Sequence, residues 1–80
     1  MLDAKWKIFQ MAAATCNFTQ TAAALGMSQP NVTGQIRKLE QELGVALFIR
    51  DGRQVRLTRP GRVLLQEAES LLALSENAVR

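Results

Sequence analysis

The chain has 80 residues and a net charge of +3 at pH 7, with 48% hydrophobic and 5% aromatic residues. This length fits one domain near the lower limit for a single stable core, and the apolar fraction excludes a disordered chain. A single cysteine and no histidine exclude an internal disulfide and a Cys/His zinc site.

The composition also argues against an enzyme. Besides lacking histidine, the chain has no base partner for Cys16, no Gly-rich phosphate loop and no paired-carboxylate motif. We therefore expect no catalytic activity, no cofactor and no metal. No apolar run reaches membrane-spanning length, and the N-terminus lacks a signal-peptide pattern. The sequence thus predicts a cytoplasmic location.

The first two elements are predicted to be helices. The first spans residues 2–14 and carries an apolar stripe at helical spacing. Asn17 and Gln20 form a capping-box pattern that begins a short second helix at residues 18–25, and Gly26 ends it. The stripe of the first helix consists of Leu2, Trp6, Phe9 and Ala13.

A third helix is predicted over residues 29–43, with Ser28 as its N-cap. Because only a short link separates it from the second helix, the two form a helix-turn-helix pattern, with the small residues Ala22 and Ala23 expected at their contact. The face expected to point inward consists of Val32, Ile36, Leu39 and Leu43.

After Gly44 the apolar period changes from helical to alternating. Apolar residues alternate on both sides of Asp51-Gly52, a dipeptide that favours a tight hairpin turn. The segment 47–57 is therefore predicted to be a two-stranded wing. A helix-turn-helix followed by a small hairpin gives a mainly α, winged helix-turn-helix fold. The alternating residues are Leu47, Ile49, Val55 and Leu57.

The last helix is predicted over residues 59–80, capped by Thr58. Five of its residues follow the three-four spacing of a coiled-coil seam, which predicts a homodimer through this helix. The simpler alternative is a core helix that folds back on its own domain. Since no terminating signal follows, we expect a longer protein, with a domain at 1–58 and a linker or dimerisation helix at 59–80. The seam residues are Leu65, Ala68, Leu72, Ser75 and Val79.

Positive charge is concentrated in the second half of the chain. Residues 37–62 contain seven basic residues and three acidic ones, the electrostatic pattern expected for a polyanion partner. Arg53 lies nearest the predicted wing tip and is a candidate for a narrow minor groove. Arg50 suits phosphate, whereas Arg56 is better explained by hairpin solubility.

The outward face of the third helix suits the major groove of DNA. Gln29, Pro30 and Thr33 cluster at the N-terminal end, which a recognition helix inserts into the groove. Glutamine can pair bidentately with adenine, and threonine can meet a base edge or a thymine methyl group. Arg37 and Lys38, one turn further, suit phosphates.

Gly34 interrupts this outward face. Glycine costs about 1 kcal/mol of helix stability relative to alanine. Either the bare backbone lets the helix approach the bases closely, or the site is simply exposed and the cost is tolerated.

The stretch NFTQTAAALGMSQPNVTGQIRKLEQELGVALFIRDGRQVRLTRPG strongly resembles the DNA-binding domain of LysR-type transcriptional regulators. The shared motifs are S-F-T-x-A-A, S-Q-P-x-[V/L]-S-x-Q-I, L-E-x-x-L-G-x-x-L-F-x-R and L-T-x-x-G, in this order. The resemblance implies a prokaryotic, sequence-specific regulator that binds double-stranded DNA as a homodimer through the last helix. It also implies a tetramer at full length and a C-terminal domain that senses a small-molecule effector.

The resemblance also implies roles for particular residues. Gln29, Pro30, Thr33 and Gly34 fall where family members approach bases, and Arg53 falls at the minor-groove position of the wing. The positions near the DNA backbone are Asn17, Thr19, Ser28, Asn31, Arg37 and Arg50. Four residues depart from the family pattern: Asn17 replaces serine, Thr21 replaces alanine, Thr33 replaces serine, and Gly34 stands where many members carry a base-reading side chain.

A different class of function stays open at this point. The same winged helix could serve as a protein-interaction and dimerisation module without binding DNA.

Overall fold

The computed structural model describes residues 4–78, with side chains described for residues 4–68. In this part of the chain the fold is mainly helical with one two-stranded antiparallel sheet, which confirms the predicted winged helix-turn-helix. The elements are α1 (Ala4–Thr15), α2 (Phe18–Leu25), α3 (Gln29–Leu43), β1 (Phe48–Asp51), β2 (Gln54–Leu57) and α4 (Arg59–Ala78).

The boundaries of α2 follow from its capping residues. Asn17 is extended, and its side-chain oxygen accepts the N–H of Gln20 at 2.9 Å, which confirms the predicted N-cap. Gly26 ends the helix with φ of 66°, a conformation that favours glycine. Upstream, α1 extends one residue beyond the predicted end, and Leu2 lies outside the described residues.

The helix α3 begins at a second cap, where Ser28 Oγ accepts the N–H of Asn31 at 3.2 Å. Val32, Ile36 and Leu39 are buried, as the apolar stripe predicts. Leu43 was wrongly assigned to this inward face, because it is 44% exposed. It lies in the last turn, beyond the point where the neighbouring elements cover the helix.

The core lies between the first three helices and the start of the wing. Phe48 completes it with edge-on ring contacts to Phe9 and Phe18, at centroid distances of 5.6 and 5.4 Å. At the contact of α2 with its neighbours Ala22 is buried, but Ala23 is exposed, so only one of the two predicted contact alanines packs there. The buried core residues are Ile8, Phe9, Ala12, Ala22, Val32, Ile36, Leu39 and Leu47.

Thr21 is the buried polar residue within this packing. Its hydroxyl lies 2.8 Å from the Thr15 hydroxyl and donates to the carbonyl oxygen of Asn17 at 2.9 Å. The first of these bonds connects the end of α1 to α2, and the second lies within the first turn of α2. The departure from the family alanine at Thr21 therefore introduces a satisfied hydroxyl, which avoids the cost of burying an unpaired polar group.

The wing is a hairpin in which Asp51 pairs with Gln54. The two loop residues are therefore Gly52 and Arg53, one position later than the predicted turn centre, and Gly52 takes φ of 65°. Val55 is buried and donates its N–H to the carbonyl oxygen of Cys16 at 2.9 Å. This bond holds the second strand against the end of α1.

The two faces of the wing are less regular than the alternating pattern predicted. Ile49 is 51% exposed, whereas Leu47, just before β1, is fully buried. The strand therefore contributes its apolar contact at its entrance, through Leu47 and Phe48, and its outer half points into solvent.

The last helix packs its first turns on the domain. Thr58 Oγ1 accepts the N–H of Gly61 at 3.1 Å and donates to the carbonyl oxygen of Ala46 at 2.6 Å, so it caps α4 and ties it to the wing entrance. Leu64 and Leu65 pack against the core. Within residues 4–78, no helix combines the length and hydropathy needed to cross a membrane.

Gly61 lies where α4 approaches the wing closely. A Cβ atom there would meet the backbone carbonyl oxygen of Leu47 and lie 2.8 Å from Leu57 Cδ2. We expect Gly61→Ala to lower the free energy of unfolding by about 1–3 kcal/mol, because neither backbone nor packed side chain can move aside freely. Urea denaturation followed by circular dichroism measures this change.

Gly34→Ala is the matched control, since Gly34 is also helical but a Cβ atom there meets nothing within 4 Å. This variant should gain about 1 kcal/mol from helix propensity alone. Equal effects of the two substitutions would contradict the close approach at Gly61.

Candidate nucleic-acid interface

The outward side of α3 is fixed by the burial of its opposite side. Near its N-terminal end, Gln29 Nε2 donates to Thr33 Oγ1 at 2.6 Å, one helical turn away. The sequence placed both residues on the outward face, and the structure joins them in one hydrogen-bonded pair. Both side chains are half-buried, so each is held in place before any ligand arrives.

The neighbouring positions on this face are open. Pro30, Asn31 and Lys38 are exposed, and the Cβ position of Gly34 points into free space. This environment fits both explanations of Gly34, close approach to bases and simple tolerance. It also means that the glycine is not required by packing within the chain.

Two of the residues expected near the DNA backbone already have a role in the fold. The side-chain oxygens of Asn17 and Ser28 each accept an N–H group in the first turn of α2 and of α3. Thr19 is exposed in the first turn of α2. Polar groups and helix N-termini thus lie together at the start of both helices, where the helix dipole favours an anion.

The wing presents its arginines to solvent. Arg50 and Arg53 are exposed, with Arg53 at the tip of the hairpin loop. Arg56 lies 3.6 Å from the carboxylate of Asp51, and both side chains are largely exposed. An exposed pair of this kind contributes little to stability, which agrees with a solubilising role for Arg56.

A cleft of about 210 Å³ separates α3 from the wing and brings several of these residues together. Thr33 and Arg37 line it from the helix, and Arg50 lines it from the first strand. The sequence assigned these residues to DNA from two separate elements. The structure places them on the walls of one cleft.

Glu40 also lines this cleft and is a residue whose role the sequence interpretation missed. Its carboxylate oxygen Oε2 accepts the backbone N–H groups of Leu47 and Phe48 at 2.7 and 3.3 Å. The available signal was its place one turn before the helix-ending Gly44, but its partners are seven and eight residues away, where helical spacing does not reach.

The first two residues of the expected dimer seam lie where α4 packs on its own domain. Ala68 is 6% exposed and Leu65 packs against the core, so both face their own domain. For the turns of α4 that carry these two residues, the packing agrees with the alternative of a core helix that folds back on its own domain. The side chains of Leu72 and Ser75 are outside those described, and Val79 lies outside the described residues altogether.

A separate apolar groove lies between the end of α3 and the outer side of α4. Leu43, Val45 and Val63 are each at least 40% exposed and line it together with Pro60. The spacing of the seam did not identify this groove, because its residues come from three different parts of the chain.

Comparison with known proteins agrees with this geometry. Residues 4–62 match the family described as "Bacterial regulatory helix-turn-helix protein, lysR family". The regulator CitR of Bacillus subtilis is 46% identical over 79 residues, which cover 98% of this chain and 27% of CitR. The Hca operon transcriptional activator HcaR of Escherichia coli is 44% identical over 72 residues, which cover 90% of this chain and 24% of HcaR.

Solved structures show the same fold. The DNA-binding domain of CbnR in complex with DNA superposes with a TM-score of 0.82 at 35% identity, covering 92% of this chain and 85% of that one. The BenM DNA-binding domain bound to the catB site 1 DNA gives a TM-score of 0.82 at 33% identity, covering 94% and 81%. The chain spans about a quarter of the length of the curated relatives it matches. By sequence and by structure, the chain belongs to the LysR family of bacterial regulatory helix-turn-helix proteins.

Proposed function

We propose that this chain binds double-stranded DNA with sequence preference, as the DNA-binding part of a LysR-type transcription regulator. The observation that carries the proposal is the joint placement of Thr33, Arg37 and Arg50 around one cleft between α3 and the wing. The similarity to two domains crystallised with DNA supports it. A helix and a wing that flank one cleft can hold a phosphate backbone between them.

In this proposal the N-terminal end of α3 enters the major groove. An amide carries two N–H groups and one oxygen, so the bond from Gln29 to Thr33 leaves one N–H and the oxygen for a base edge. That remaining pair matches the donor and acceptor of adenine. Pro30 and Gly34 keep the adjacent surface small enough for close approach.

The remaining polar residues bind the DNA backbone or the flanking groove. In this proposal Arg53, at the wing tip, enters the minor groove, where a narrow width enhances the negative potential. Arg37 and Lys38 neutralise phosphates beside the major groove. The other backbone-binding residues in the proposal are Asn17, Thr19, Ser28, Asn31 and Arg50.

We further infer that two copies bind a two-fold symmetric site. The chain would pair along the later part of the predicted seam, through Leu72, Ser75 and Val79. A full-length protein would add a domain that senses a small-molecule effector and would form a tetramer. Such a regulator would act in the cytoplasm, where bacterial DNA lies.

Salt dependence separates DNA binding from the rival function, a winged helix that only binds proteins. We expect the logarithm of the association constant for duplex DNA to fall linearly with the logarithm of salt concentration, because bound counterions are released. Replacing Arg37 or Lys38 with alanine should reduce that slope by about 1 each. Fluorescence anisotropy of a labelled duplex over a salt series measures the slope.

The exposed Arg56 provides the matched control, since its charge is already engaged with Asp51. Arg56→Ala should change the slope less than Arg37→Ala does. Absence of duplex binding at low salt would favour the protein-interaction module instead.

Gln29→Ala tests the proposed base contact. We expect this variant to lose about 1–3 kcal/mol of preference for the cognate site over random duplex, because one bidentate base contact is removed. Affinity for random duplex should stay nearly unchanged. Competition binding with the duplex that the wild-type protein selects from a random pool measures both quantities.

Gln41→Ala is the control for this experiment, because Gln41 is exposed on the same helix but three turns from the N-terminal end. It should leave the preference intact. Equal losses on cognate and random duplex would refute a base-reading role for Gln29.

The proposed seam is tested by adding charge to it. Leu72→Glu should shift the protein to monomers in analytical ultracentrifugation, because an unpaired charge would be buried between the two helices. Gln66→Glu adds the same charge at an exposed position of α4 and should leave the oligomeric state unchanged. Persistent dimers in the Leu72 variant would show that the chains pair elsewhere.

A further inference from the structure

Glu40 is an acid in an otherwise basic cleft. Arg37 and Arg50 line the same space, and a carboxylate facing a polyanion is unfavourable. Among residues 4–68, Glu40 forms no ion pair with either arginine. Its negative charge is instead stabilised by backbone N–H groups.

Four backbone N–H groups converge on this one residue. The carboxylate accepts the N–H groups of Leu47 and Phe48 at 2.7 and 3.3 Å. The carbonyl oxygen accepts those of Gly44 and Val45 at 2.8 and 3.2 Å. Bonds from N–H groups to an ionised carboxylate are stronger than those to a neutral acceptor. Glu40 thus fixes the whole path from the end of α3 to the first strand.

The connection from α3 to β1 sets the position of the wing. Phe48 is the first residue of β1, and its ring is clamped between Phe9 and Phe18. Arg50 follows two residues later on the same strand, and Arg53 lies in the loop at the tip of the hairpin. A two-stranded ribbon has little stability of its own, so its direction depends on such anchors.

We propose that Glu40 is a positioning residue for the wing: by binding the N–H groups of Leu47 and Phe48, it fixes the distance between the recognition helix and the wing arginines. The inference rests on the proposed DNA binding. It concerns specificity at the flanks of the site, where the wing would reach, rather than the bases under α3.

The test compares Glu40→Ala and Glu40→Gln with Glu42→Gln. Glu42 lies on the same helix, is exposed and pairs with Lys5, so its variant also removes one negative charge but leaves the wing entrance intact. The probe is the duplex that the wild-type protein selects from a random pool. Hydroxyl-radical cleavage reports the minor groove of the flanks, and methylation of guanine N7 reports the major groove.

We expect Glu40→Ala to lose flank protection while it keeps protection in the major groove. Charge alone predicts the opposite sign, because removing an acid should tighten binding to DNA, as expected for Glu42→Gln. Glu40→Gln keeps an acceptor oxygen, so its flank protection should lie between that of Glu40→Ala and that of the wild-type protein. Flank protection equal to wild type in Glu40→Ala would overturn the proposal.

A double-mutant cycle shows whether Glu40 acts through the wing. Residues that act as one unit are non-additive, whereas independent sites multiply their effects. Adding Arg53→Ala to Glu40→Ala should therefore cost no further affinity. Adding Gln29→Ala to Glu40→Ala should reduce the affinity further, by the same factor as Gln29→Ala does alone. Additive behaviour of Glu40 with Arg53 would count against a positioning role.

Hydrogen exchange keeps the test independent of DNA binding. In Glu40→Ala, which removes the acceptor, the amides of Leu47 and Phe48 should exchange faster, while those of Val32 and Ile36 stay protected. Unchanged exchange at Leu47 and Phe48 would refute the anchor even if the wild-type protein bound no duplex. Failure of the wild-type protein to bind any duplex would instead refute the proposed function alone.

Discussion

Burial of Val32, Ile36 and Leu39 determines the direction in which the rest of α3 points. These three side chains fill the space left by α1 and α2, so rotation of the helix would expose them to water at a cost of roughly 1.5–3 kcal/mol each. The opposite face is thereby committed to solvent. Gln29 and Thr33 lie outward because of what is buried behind them, and their mutual hydrogen bond then limits how they can move.

The wing depends on the helices for both its existence and its direction. Val55 is tied to the end of α1 through Cys16, and Thr58 is tied to the wing entrance through Leu47 and Ala46. Each bond satisfies a backbone group that a two-stranded ribbon leaves unpaired. Together with the Glu40 carboxylate, these bonds hold the ribbon at both ends. The loop that carries Arg53 is exposed.

Local signals were sufficient to predict most of the fold, because caps and periodicity act within one turn. Asn17, Ser28 and Thr58 all cap the helices that the sequence assigned to them. Periodicity identifies the apolar face of a helix but not which element covers it or where that contact ends, so Leu43 was misplaced. In the site, the outward face of α3 was predictable. The role of Glu40 was not, since its partners are seven and eight residues away along an irregular segment.

The acids of the basic segment explain how its positive charge stays available. Glu42 pairs with Lys5 on α1, Asp51 faces Arg56 across the hairpin, and the Glu40 carboxylate binds backbone N–H groups. Each acid is thus engaged within the chain. The cations that face the proposed DNA form no ion pair among the residues with described side chains: Arg37, Lys38, Arg50 and Arg53. Since unpaired surface cations attract a polyanion at longer range than paired ones do, the net charge understates the field at this face.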